Sequence, residues 1–216
     1  MKSPLFLCGL LLLLVGCNQN TPTPTASPNP TVYPTAASTP VIPQSENDPS
    51  KLISDTGIGE AKIGMSLGEL KQALGSNAEF RVESPYIVDF DAIAVRQNGE
   101  AQYYILYPAG TTLQDSDPIE LIYTENPQYR TVDGVGPQTP IQTAESVYGQ
   151  PTLSYNYSSE GREAARFANQ PQKLLFGLGN ANRGDLAGIY PESQDEYNET
   201  SQYKEDAKIQ SIIVRP

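Results

Sequence analysis

The sequence predicts an α+β fold: two tandem units, each a short helix followed by an antiparallel sheet, sharing one core. Two observations predict it. The stretch GMSLGELKQALG (64–75) has a counterpart in QTPIQTAESVYG (138–149), and each ends on a glycine. Behind each follow short runs rich in Val, Ile and Tyr, such as AQYYILY and KIQSIIVR, broken by turn residues. That composition is strand-like.

The first element is not part of the fold. In MKSPLFLCGLLLLLVGC, Lys2 precedes an apolar run that is too short to span a bilayer, which takes about 20 residues. Residues 1–16 read as a signal peptide, removed on export. Leu14-Val15-Gly16-Cys17 resembles the lipobox of bacterial lipoproteins, in which the cysteine becomes the first mature residue. The resemblance implies a diacylglyceryl thioether on Cys17 and an acyl group on its freed amine. Each buried methylene adds about 0.8 kcal/mol, so two or three chains make a durable membrane anchor. In lipoproteins of two-membrane bacteria an Asp after the cysteine marks retention at the inner membrane. Asn18 stands there instead, which leans toward the outer membrane.

Residues 17–50 carry the lipidated cysteine and a linker; from 18 to 50 it holds eight prolines and ten Ser or Thr. Such a segment has too little apolar surface to offset its ordering entropy. The reading is a disordered stalk, semi-stiff through polyproline II, holding the rest of the chain off the membrane.

Residues 51–216 read as the globule, with unit one at about 51–127 and unit two at about 128–216. In the first helix, Ser66 and Glu69 form a capping box, Leu67, Leu70, Ala73 and Leu74 share a face, and Gly75 makes the stop. In the second, Thr139 and Gln142 are assigned the same box, Ile141, Ala144, Val147 and Tyr148 the stripe, and Gly149 the stop. Each helix is about two turns and needs a sheet to lie on. REAARFA (162–168) is ambiguous between helix and strand.

GIGEAKIGMSLGELKQALG resembles the signature of small bacterial envelope domains, among them the outer-membrane assembly lipoprotein BamE and the tandem-repeat β-lactamase inhibitor proteins. YRTVDGVGPQTPIQTAESVYGQP is similar to the second-copy form, with Thr139 and Pro140 where Gly-Met-Ser would stand. The resemblance implies a small fold that presents a sheet to a protein partner.

Composition removes much chemistry. The chain has no His and only two Cys; Cys8 leaves with the signal and Cys17 is lipidated. That excludes Ser-His-Asp triads, Cys-His pairs and His-ligated zinc, and leaves no intrachain disulfide. A net charge of −11 with no basic run argues against nucleic acid. No cofactor and no metal is expected. Near-matches to phosphate loops (59–66), a dinucleotide fingerprint (177–184) and Ser-x-x-Lys (201–204) lack their partner residues. The acidic groups around 89–91, 115–120 and 195–199 lack calcium-loop spacing.

Twelve of the thirteen tyrosines lie beyond the linker. Tyr is favoured at recognition surfaces. Tyr103 with Tyr107, and Tyr155 with Tyr157, share strand faces; Arg162 and Arg166 also share a face. These six are the candidate binding residues, and no catalytic residue is assigned. The expectation is a lipid-anchored, non-catalytic envelope lipoprotein, bound to the membrane through Cys17, that grips an envelope protein or cell-wall polymer. The alternatives are a structural subunit of an envelope assembly and a carboxylate-based glycan hydrolase.

Overall fold

The computed structural model describes residues 48–193 and 195–216. The signal segment, Cys17 and nearly all of the linker lie outside the described residues.

A 3-10 turn at Pro49–Lys51 leads into β1 (Leu52–Ser54), β2 (Gly57–Ile58) and β3 (Ala61–Lys62), then α1 (Leu67–Leu74). The chain continues through β4 (Glu79–Ile87), β5 (Phe90–Gln97), β6 (Glu100–Pro108), β7 (Leu121–Thr124) and β8 (Arg130–Thr131). After α2 (Ile141–Tyr148) come β9 (Pro151–Asn156), β10 (Arg162–Phe167), β11 (Leu174–Asn180), β12 (Tyr197–Thr200) and β13 (Ser211–Val214).

The α+β expectation is overturned. Two helices of eight residues each stand against one antiparallel sheet of nine strands, ordered β12-β9-β10-β11-β13-β7-β6-β5-β4, so the fold is mostly β. The physical reason is the central pairing of β7 with β13, Ile122 opposite Val214 and Thr124 opposite Ile212. It fuses into one continuous sheet the strands that local patterning divided between two units. REAARFA resolves as strand β10: its Ala and Arg residues favour a helix, but cross-strand pairing to β9 and β11 outweighs propensity. A second sheet, β3-β2-β1-β8, includes a parallel β1–β8 pair.

One face of the large sheet carries the core. Ile93, Ile105, Ile122, Leu174, Phe176 and Leu153 join Leu67, Leu70, Ile141, Ala144 and Tyr148 of the helices in one buried cluster. The helix starts are tied down by neighbouring loops. Leu67 and Gly68 donate their amides to the carbonyls of Asp117 and Asp115, ahead of β7. Ile141 donates to Ala207, ahead of β13.

At α1 the Ser66–Glu69 capping box is present, and Gly75 closes the helix at φ 53°. At α2 the cap is Pro140 and no side chain caps the helix. Thr139 is buried and accepts from the Gly136 amide at 2.9 Å, inside a turn whose donor has no other acceptor, while Gln142 is exposed. The Thr139–Gln142 capping box is therefore corrected. Gly149 ends α2 at φ 80° and ψ −177°, a conformation that side chains resist.

Candidate recognition face

Along each strand alternate residues leave the core and stand on the face without helices. Register aligns them into a row. Ala94 on β5 lies opposite Tyr104 on β6, Tyr104 opposite Tyr123 on β7, Tyr123 opposite Ile213 on β13, and Ile213 opposite Leu175 on β11. Arg166 on β10, opposite Thr152, continues it.

Edge strand β4 adds a third ring. Its pairing with β5 shifts register between Glu83 and Ile87, a bulge that re-aims the chain. Tyr86 lies over the sheet, its ring centroid 4.8 Å from Tyr104 and 6.1 Å from Tyr123, which are themselves 5.9 Å apart. Ala92 and Ala94 on this face are fully buried, and their small side chains leave room for the three rings. Burial pushes the Tyr86 and Tyr123 phenols far above their ordinary range; the Tyr123 hydroxyl also donates to Glu125. All three tyrosines are neutral at physiological pH, polar at the tip and apolar along the ring.

The sheet is coiled. Asp89, at the β4–β5 turn, and Arg162, at the start of β10, meet at 2.7 Å. In sheet order β5 and β10 are separated by β6, β7, β13 and β11. Laid flat, that separation alone would hold them roughly 24 Å apart, at about 4.8 Å per strand. The contact requires the sheet to coil strongly enough to bring these two strands together. Arg162 also reaches Glu160 at 3.0 Å, so one guanidinium ties this corner to two carboxylates.

The structure redistributes the sequence-predicted residues. Tyr103 and Tyr107 are 3% and 5% exposed and point into the helix-side core. Tyr155 is also buried there, edge-on to Tyr157 at 5.3 Å and Tyr190 at 4.8 Å, while Tyr157 is exposed. Arg162 and Arg166 stand on the helix-free face. The four tyrosines therefore do not assemble with the arginines. The residues that sequence reasoning missed are Tyr86, Tyr104, Tyr123, Leu175 and Ile213. The available signal was the doublet Tyr103-Tyr104: in a strand one of any two neighbours must face away from the core.

A shallow concavity of about 560 Å³ at the β4–β5 edge is lined by residues 76–79 and 96–99. Its charged groups are already engaged, Glu79 by Arg81 and Arg96 by the Gly99 carbonyl. It brings no reactive groups together.

No family model matches this chain, and no curated protein sequence does either. The structure is similar to a crystal structure of the uncharacterized protein yfeY from Escherichia coli. Identity is 14% and the TM-score 0.45, over 76% of this chain and 99% of that one.

Proposed function

We propose that this protein is a lipid-anchored lipoprotein of the bacterial cell envelope, held at Cys17, whose helix-free sheet face binds a protein partner without catalysis. The observation that carries the reading is the uncovered strip of Tyr86, Tyr104, Tyr123, Ile213 and Leu175. All five are partly exposed on a face with no helix over it. Rigid aromatic rings with polar tips, flanked by aliphatic groups, are the material of protein interfaces. A cell-wall polymer is the weaker fit, because stacking on a sugar ring takes an open aromatic face. One face of Tyr104 is occupied by Tyr86, tilted 31° against it.

The test is site-specific photo-crosslinking of the full-length protein in the envelope. A crosslinker at Thr152, exposed and in register with the strip, should give an adduct of defined mass. One at Gln142, exposed on α2, should give none. Tyr104→Ala should abolish the Thr152 adduct. The same adducts from both positions, or none from Thr152, would refute the reading. Cys17→Ala should release the protein from membranes, and its retention there would refute the anchor.

A further inference from the structure

The end of the helix-free face around Leu175 has a charge pattern at odds with the rest of the chain, while Glu83 and Glu125 lie at its other end, near Tyr86 and Tyr104. Acidic residues outnumber basic ones by 25 to 14. Three cations nevertheless gather beside the apolar strip. Arg166 stands in the row itself, next to Leu175. Lys173 and Arg215 flank the Leu174–Val214 pair, joined by the Arg215 amide donating to the Lys173 carbonyl at 3.2 Å. Leu174 and Val214 are fully buried on the core side, so strand alternation places Lys173, Leu175, Ile213 and Arg215 on the opposite face. Side chains at directly opposed and diagonal positions on one sheet face lie within about 5 to 8 Å of each other.

Of the other arginines of the sheet, Arg81 is paired with Glu79, Arg162 with Asp89 and Glu160, and Arg96 donates to the Gly99 carbonyl at the far edge. Among the described residues, Arg166, Lys173 and Arg215 form no ion pair. Asp55 approaches Lys173 only through the backbone, accepting its amide at 3.0 Å. Like charges placed so close repel one another. In a chain with a surplus of acids, leaving them unpaired is a cost that an incoming anion removes.

We propose that the partner segment received by this face is acidic and amphipathic: alternating carboxylate and aliphatic or aromatic side chains in an extended run. Its apolar side chains lie on Tyr123, Ile213 and Leu175, and its carboxylates meet Arg166, Lys173 and Arg215. This rests on the protein-binding reading above and specifies the partner's chemistry. An anionic bilayer is the poorer match, since the chain's net charge of −11 opposes its approach.

The test uses the full chain in neutral detergent and three fluorescent peptides that alternate Leu with Glu, Ser or Lys. The expected order is Glu over Ser by at least tenfold, with Lys weakest, and a preference that shrinks as salt rises. R166E/K173E/R215E, all surface changes that circular dichroism should find folded, should invert the order. Equal affinity for the three peptides, or an order unmoved by the triple variant, overturns the proposal. So does loss of binding to phosphatidylglycerol vesicles as the variant's main effect, which would assign the cations to the membrane. A dimer that the variant dissolves would assign them to a second copy of the chain. If the Thr152 crosslink survives in the triple variant, the acidic partner falls while the protein-binding face stands.

Discussion

The buried tyrosines make a prediction about alkaline stability. Tyr103, Tyr129 and Tyr148 are 3%, 2% and 3% exposed, and burial is the main cause lifting each phenol well above its ordinary value of 10.0. Tyr103 has no hydrogen-bond partner for its hydroxyl, so nothing in the fold welcomes its anion. In the unfolded chain the same phenols ionise freely. Above pH 10 the folded protein therefore holds more protons than the unfolded chain, and stability falls as pH rises toward the folded values. One pH unit above the ordinary value, each group costs about 1.4 kcal/mol, so the three together cost about 4 kcal/mol. That is a large share of a typical stability of about 5–15 kcal/mol, and corresponds to a Tm lower by about 10 °C at pH 11. With no His in the chain, the region around neutrality should be flat by comparison. Calorimetry from pH 7 to 11 measures the fall, and absorbance at 295 nm counts the phenols that titrate late. A single reversible titration step near pH 10 with the fold intact, or an unchanged Tm at pH 11, would refute the burial argument.

Four substitutions test individual contacts by urea denaturation. Glu163, 2% exposed, accepts from the amides of Gly179, Ala187 and Gly188 at 3.1, 2.6 and 2.7 Å and from the Tyr190 hydroxyl at 2.9 Å. Glu163→Gln points an NH₂ at a backbone donor in either orientation and should cost about 3 kcal/mol; an unchanged midpoint would show that this carboxylate does not anchor the 185–190 loop. Ser66→Ala removes a working cap and should cost about 1 kcal/mol. Gln142→Ala, exposed and outside any cap, should stay within about 0.5 kcal/mol, and a larger loss would restore the capping box on α2. Gly149→Ala puts a Cβ 3.1 Å from the Asn169 side-chain nitrogen and 3.3 Å from the Ala168 Cβ at a φ of 80°. It should cost about 1–3 kcal/mol, and wild-type stability would mean α2 does not end in that conformation.

What the sequence made legible was local. α1 lies where its capping box and stop put it, and α2 ends at its Gly149 stop though it starts without the expected box, because first and last turns depend on neighbours within four positions. Long-range facts were not legible. The β7–β13 pairing joins residues about 90 positions apart, and no period along the chain announces it. Nor does period two say which face of a strand is covered. It puts Tyr103 and Tyr104 on opposite sides but cannot tell which side the helices occupy, so the reading named Tyr103, which the structure buries, and passed over Tyr104, which is partly exposed. Thr139 failed for a related reason. Its hydroxyl suited a helix cap, but the buried Gly136 amide needed an acceptor first.

The helix-free face is unusual in what it omits. An antiparallel sheet packed on one side normally turns alternate polar residues to water on the other. Here the alternate positions along β6, β7, β11 and β13 include Tyr104, Leu106, Leu121, Tyr123, Leu175 and Ile213. Self-packing accounts for part of this, since Tyr86 folds over the row and leaves Leu106 only 3% exposed. It does not account for Leu175 and Ile213, which stay partly open beyond the reach of that cover. Edge-to-edge aggregation is opposed separately. The free edge strand β4 carries Glu79, Arg81 and Glu83, charges of the kind that blunt strand pairing. An apolar face left partly open beside a guarded edge is the feature on which the proposed binding role rests, and the tie of Arg162 to Asp89 holds two distant strands of its sheet together.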